Sequence, residues 1–205
     1  EQDIAARLGS ADSRDLQTYQ VYDTAGRVRF IIDIVGDAAG NMRGTVTELF
    51  YDAAGRVVAR ASRETLVDAA VLTPQLPQVR AGTLSASTVA GWLSGASRTT
   101  QWVYDAAGRE RYTLRADGNG AYTVQERRYD AAGRVVAETV YGVTIPSATA
   151  LTVEGVSAAL VAANGNDAAN QRTTRMVYDA NGAVRFVLDN LGGVTEQRYD
   201  ALGRV

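Results

Sequence analysis

Residues 101–136 read QWVYDAAGRERYTLRADGNGAYTVQERRYDAAGRVV, and this stretch decides the fold. It carries Tyr-Asp-x-x-Gly-Arg twice, from Tyr104 and from Tyr129, with β-branched and aromatic residues on both sides. Asp at the first turn position accepts hydrogen bonds from the turn amides, and Gly at the fourth tolerates a positive φ. Between the two copies lies a second turn, Asp117-Gly118-Asn119-Gly120, flanked by YTLR and YTVQERRY. Strand, turn, strand, turn, strand predicts a β-meander. Period-two alternation sets Trp102 and Tyr104 on one face and Val103 on the other. Likewise it sets Arg109 and Arg111 opposite Glu110 and Tyr112. Which face looks inward stays open in the sequence.

The same motif recurs through the chain. Its six copies are Tyr22, Asp23, Gly26 and Arg27; Tyr51, Asp52, Gly55 and Arg56; Tyr104, Asp105, Gly108 and Arg109; Tyr129, Asp130, Gly133 and Arg134; Tyr178, Asp179 and Gly182; and Tyr199, Asp200, Gly203 and Arg204. Successive tyrosines are 29, 53, 25, 49 and 21 residues apart, short and long in alternation. A larger unit follows, 82 residues from Tyr22 to Tyr104 and 74 from Tyr104 to Tyr178. QVYDTAGRVRF, QWVYDAAGRERY and RMVYDANGAVRF align, each followed by a Gly-containing turn. Those turns are read at Gly36–Asn41, Asp117–Gly120 and Asn190–Gly193. A fixed period of this kind marks a repeat architecture.

The two long intervals hold inserts of another character. The first has Pro74 and Pro77 and then TLSASTVAGWLSG; the second has Pro146 and then ALTVEGVSAALVAANG. Aligned on Leu84 and Leu151, they pair Ser85 with Thr152, Val89 with Val156 and Leu93 with Leu160. Ser85 and Thr152 read as helix N-caps with apolar residues at helical spacing behind them, and Gly95 and Gly165 as stops. Trp92 is expected against the sheet, with Ala159 in its place in the second insert.

The resulting expectation is a mainly β chain, 1–205, organised as one continuous array. It runs as the tail of an insert (1–20), a strand unit (21–58), an insert with a short helix (59–99), a strand unit (100–137), an insert with a short helix (138–173) and a last strand unit (174–205). Both ends fall inside repeat units, so the sequence reads as an excerpt of a longer array. Alanine supplies 34 residues, which predicts a thin, layered core.

Composition excludes much chemistry. All 21 basic residues are arginine against 23 acidic ones, and Lys, His and Cys are absent. That removes the usual zinc sites, thiol nucleophiles, Ser-His-Asp triads and Schiff-base lysines. Balanced, interspersed charge argues against nucleic acid as a partner, and no apolar stretch is long enough to span a membrane.

The motif YDxxGR at a period near 21 resembles the YD repeat of the RHS (rearrangement hotspot) family. That family includes RHS polymorphic toxins, the B and C components of insecticidal Tc toxins, wall-associated bacterial proteins and animal teneurins. The resemblance implies an antiparallel β-solenoid or spiral, closed in the toxin members into a shell around a cargo polypeptide. It also implies a structural role for the motif residues named above. The fifth copy departs, with Asn181 in the turn and Ala183 in place of the arginine. The helical insert in every second interval is a further departure.

Regular recurrence favours scaffold roles over catalytic ones. The arginines of the motif are expected to pair with Asp or Glu on adjacent strands as register markers. Glu48, Glu126 and Glu196 stand three residues before their motif tyrosines at equivalent places, a scaffold position rather than a glycosidase pair. Asp117–Gly120 is read as a hairpin turn, not a calcium loop. No catalytic, metal or cofactor site is expected. The reading is a non-catalytic structural segment of a large secreted or cell-surface bacterial protein, forming a rigid wall, shell or fibre. Its partners are neighbouring repeat units of the same chain and further copies through self-association. Two alternatives stand beside it: a glycan-binding module using aromatic faces, and a toxin-enclosing shell.

Overall fold

The computed structural model describes residues 16–36, 42–63, 67, 69–93, 97–200, 203 and 204. Among the described residues the protein is mainly β, with eleven antiparallel strands in chain order. It divides into two compact units, Glu1–Thr99 and Thr100–Val205.

In the first unit, β1 (Gln17–Tyr22), β2 (Val28–Gly36), β3 (Met42–Tyr51) and β4 (Val57–Arg63) form a meander. Helical pieces follow: α1 (Ala69–Leu72), a 3-10 turn (Thr73–Gln75), α2 (Leu76–Ala81) and α3 (Ala86–Trp92). Among the described residues the insert thus holds three short helices rather than one. Pro74 and Pro77 each stand in the first turn of a helical piece, where the missing N–H costs nothing. α3 is capped as expected, Ser85 Oγ accepting from Thr88 N at 3.2 Å. Its expected stop, Gly95, lies outside the described residues, as do residues 37–41 of the first Gly-containing turn. The core sits between sheet and helices: Val21, Phe30, Ile32, Ile34 and Val46 against Leu72, Val79, Leu84 and Val89. Trp92 and Leu93 pack half-buried at its margin.

In the second unit, β5 (Ser97–Tyr104, paired from Thr100), β6 (Glu110–Ala116), β7 (Ala121–Tyr129), β8 (Val135–Pro146), β9 (Gln171–Tyr178), β10 (Val184–Leu188) and β11 (Val194–Glu196) continue as a meander. β8 runs to Pro146, well into the stretch read as insert. One helix follows, α4 (Val153–Ala162), capped by Thr152, whose side chain accepts from Gly155 N at 3.0 Å. It ends on Asn164 at φ 57°, with Gly165 N–H donating to Leu160 O at 2.7 Å. The left-handed residue is therefore Asn164, one place before the expected Gly165. Val156 and Leu160 press on Tyr112, Leu114, Tyr122, Val124, Tyr141 and Ile145. Val103 joins them, so its face is the inward one, with Trp102 and Tyr104 half-buried on the other.

Each motif hairpin has one construction. In the first, Asp23 N–H donates to Arg27 O at 2.8 Å and Gly26 N–H to Asp23 O at 3.0 Å, a type I turn closed by a left-handed glycine. At Gly55, φ is 80° and an added Cβ would touch nothing. Gly55→Ala is thus expected to lower stability by about 1–2 kcal/mol through backbone strain alone. Gly91→Ala, in α3 with equally open space and no positive φ, is expected to raise stability by up to about 1 kcal/mol. Urea unfolding midpoints of the two variants check the pair.

Just past each turn the register slips by one. Tyr104 pairs with Glu110, but Val103 pairs with Tyr112, leaving Arg111 as a bulge. Arg29, Val58, Val136 and Arg185 are bulged at the equivalent places. A bulge breaks strict alternation and re-aims a side chain. Arg111 consequently lies on the Tyr112 side, not beside Arg109 as simple alternation predicted. The turn expected at Asn190–Gly193 is shifted too: Asp189 accepts from Leu191 N and Gly193 N, both at 2.8 Å, so the turn is Asp189–Gly192. Asp117–Gly120 is a turn of this same construction, with Asp117 Oδ1 accepting from Asn119 N at 2.7 Å and Ala121 N at 3.1 Å.

Candidate functional site

The repeated motif is the candidate site, and its side chains join one copy to the next. Each aspartate first orders its own turn. Asp105 Oδ1 accepts from Ala107 N and Arg109 N, both at 2.9 Å, while Oδ2 accepts from Arg109 Nε at 2.8 Å. Asp23 with Arg27, Asp52 with Arg56, Asp130 with Arg134 and Asp200 with Arg204 repeat the ion pair, four residues apart, at 2.7–2.8 Å. The arginines were expected to pair across strands, but each bonds the aspartate of its own turn. The left-handed glycine folds the chain back far enough to bring residues four apart together.

The guanidinium then covers the tyrosine of the following copy. Arg27 lies over the Tyr51 ring at 4.7 Å, Arg109 over Tyr129 at 4.6 Å and Arg134 over Tyr178 at 4.6 Å. The phenol reaches back in turn. Tyr51 OH donates to Val28 O at 2.7 Å, Tyr129 OH to Glu110 O at 2.7 Å and Tyr178 OH to Val135 O at 2.6 Å. In every case the acceptor is the residue just after the motif arginine. The fifth copy keeps the turn through Asp179, Gly182 and Ala183, and Tyr199 OH still donates to Val184 O at 2.9 Å, but Ala183 supplies no cation for its ring. Tyr22, in the first copy, is exposed and bonds Gln20 at 2.9 Å. Tyr104 ends β5 half-buried, and Gly108, Gly133 and Gly203 complete their turns at φ 79°, 81° and 75°. Tyr129→Phe removes one such hydrogen bond while keeping the stacked ring, and is expected to cost about 0.5–1.5 kcal/mol in urea unfolding.

The carboxylates of Asp23, Asp52, Asp105 and Asp130 are held acidic. The backbone N–H of the arginine four residues on is the largest influence at Asp23, Asp52 and Asp130, with the guanidinium adding to it, and keeps them below their ordinary 3.8. At Asp105 burial is the largest influence and acts upward, yet the Arg109 amide and guanidinium together still carry it below 3.8. A depressed folded pKa contributes stability that is present above the unfolded value and is lost as pH falls through the folded one. Stability is therefore expected to decline below about pH 4, and Asp52→Asn to flatten that decline; urea midpoints from about pH 5 to about pH 2 check it.

A second recurring cluster lies on the inward face. Arg111 reaches Glu126 at 2.6 Å, Arg128 Nε at 3.3 Å, and Tyr141 OH donates to Glu126 Oε2 at 2.8 Å. Glu48 is held by Arg29 at 2.7 Å and Arg63 at 3.7 Å, and Glu196 by Arg185 at 2.5 Å and Arg198 at 3.0 Å. Burial, and after it the hydrogen bond to Glu126, pushes the Tyr141 phenol well above its ordinary range. Burial and the nearby Glu126 charge raise Tyr112. Both phenols are thus held protonated, and Tyr141 donates to Glu126. Reading the sequence missed Arg29, Arg111 and Arg185 as glutamate partners. The available signal was Arg-Phe, Arg-Tyr and Arg-Phe two residues after the motif's sixth position in alternate copies. Among the described residues no group of three or more His, Cys, Asp or Glu side chains is placed to hold a metal ion, and no helix is long and apolar enough to cross a membrane.

No family model and no curated protein matches the chain. Solved structures are similar at a distance. The crystal structure of TcdB2-TccC3 matches all of this chain and 12% of the other, at 15% identity and TM-score 0.32. That of TcdB2-TccC3-Cdc42 matches 91% of this chain and 11% of the other, at 14% identity and TM-score 0.31. TcdB2-TccC3 without its hypervariable C-terminal region matches 100% and 12%, at 14% identity and TM-score 0.28. The chain spans about an eighth of their length. Its functional reading comes from its own residues.

Proposed function

We propose that this chain is a non-catalytic structural segment of a large secreted or cell-surface bacterial protein, in which Tyr-Asp units stack into a rigid β-solenoid wall, shell or fibre. One observation carries the reading: the chemistry-bearing groups of the motif are spent on the next motif. The aspartate orders the turn, the arginine bonds that aspartate and stacks on the following tyrosine, and the tyrosine bonds the preceding strand. A nearest-neighbour scaffold of this kind gains stability by repetition. Its likeness in motif to the RHS repeats agrees with a wall or a cargo-enclosing shell.

Glycan binding through the motif tyrosines is less well supported, because a guanidinium covers one face of Tyr51, Tyr129 and Tyr178. Tyr22, whose ring is exposed, is where that alternative would be tested. Catalysis by Glu48, Glu126 or Glu196 is opposed by the arginines on each carboxylate. Incubation with a polysaccharide panel is expected to give neither turnover nor saturable binding. Saturable binding lost in Tyr22→Ala would favour the adhesion reading, and turnover lost in Glu126→Gln an enzyme.

A further inference from the structure

The strand clusters that begin at β1, β5 and β9 are equivalent residue by residue, yet only two have their inward face covered. One row across each is Val21–Phe30–Glu48, Val103–Tyr112–Glu126 and Val177–Phe186–Glu196. The next is Tyr19–Ile32–Val46, Gln101–Leu114–Val124 and Arg175–Leu188–Val194. Val21 and Val103 are 4% and 3% exposed, but Val177 is 47% exposed; Val46 and Val124 are 1% and 2% exposed, but Val194 is 61%. The difference is the helix: α3 packs on β2, and α4 on β6 and β8.

We infer that the open face of β9–β11 is a docking site for a short amphipathic helical segment built like α3 and α4, with an acidic residue near its start. Four observations specify this occupant. Both covering helices open on a hydroxyl N-cap, Ser85 or Thr152, that bonds the amide three residues on. Each presents branched apolar residues four apart, Val89 with Leu93 and Val156 with Leu160, to the same two rows. The open face keeps those rows apolar at Val177, Phe186, Leu188 and Val194. It also carries Arg175, Arg185 and Arg198 against Glu196, a surplus that suits an acidic first turn such as the one α4, though not α3, has at Glu154. A second copy of the chain fits poorly. Its α3 and α4 are already buried against their own strands, and two such open faces would bring arginines against arginines. The inference does not depend on the wall proposed above, because a discrete domain with this face would want the same cover.

The test attaches the sequence of residues 147–165, SATALTVEGVSAALVAANG, to the end of the chain through a flexible Gly-Ser linker, which gives about millimolar effective concentration. Amide hydrogen exchange is then compared with the parent. Slowing of about tenfold or more across residues 171–196 is expected, and its loss when the attached copy carries aspartate at the positions of Val156 and Leu160. Val177→Asp with Val194→Asp should also abolish it, and these positions are exposed, so that variant folds as the parent does. Unchanged exchange in the tethered protein overturns the inference. So does protection that rises with protein concentration in the untethered chain, which would make a second copy the occupant. Failure of the wall reading leaves both outcomes unaffected.

Discussion

Replacing Glu126 by alanine is expected to destabilise the second unit by about 3–5 kcal/mol, more than any single change in the motif. The carboxylate is 2% exposed and bonded to Arg111, Arg128 and Tyr141, so its loss leaves the part-buried Arg111 without its counter-charge and the Tyr141 hydroxyl without its acceptor. Removing one partner of a buried pair costs more than the pair is worth, because the other charge stays desolvated. Glu196 occupies the same register position on the open face, its side chain 32% exposed and that of Arg198 78%. Glu196→Ala is accordingly expected to cost no more than about 1 kcal/mol. Urea unfolding of the two variants checks the ranking, and equal effects would mean that burial is not what sets the strength of this cluster.

Leu114→Ala is the second large effect, expected to cost about 2–5 kcal/mol. Leu114 is fully buried where β6 meets Val124 and the α4 residues Val156 and Leu160. Truncation there removes apolar contact and leaves a cavity that the strands, pinned by their ladders, cannot close. Leu188 holds the same place in β10 without a helix over it. Leu188→Ala should cost well under half as much, measured under the same conditions. If the two cost the same, the helices contribute little to the core and serve another purpose.

Much of this arrangement was legible in the residues. Asp and Gly at the first and fourth turn positions fixed every described motif hairpin, because the side-chain acceptor and the left-handed backbone are local properties. Ser85 and Thr152 fixed both helix starts for the same reason, and the paired Val89 and Val156 are both buried to 0% exposure. What escaped depends on backbone detail that alternation does not encode. The bulge at Arg111 reverses the face of that arginine, and so hides its pairing with Glu126. The motif arginines turned inward to their own aspartates because the glycine shortens the distance between residues four apart. The helical pieces around Pro74 and Pro77 were not expected, because proline fits a helix only in its first turn, a position that sequence alone does not reveal. The inward face could not be chosen from a strand such as Arg109–Tyr112, whose two sides are both mixed, until the helices packed on one of them.

The central claim is that the motif is a coupling between successive units rather than a site for a ligand. Tandem chains carrying two, three and four copies of the stretch from Tyr22 to Val177 test it most directly, through urea unfolding of each length. Coupled units predict a midpoint and an m-value that both climb with copy number, and a climb that Tyr22→Ala in each following copy, where it takes the place of Tyr178, blunts. Midpoints that stay constant with length and ignore that substitution would show independent beads, and would contradict the account.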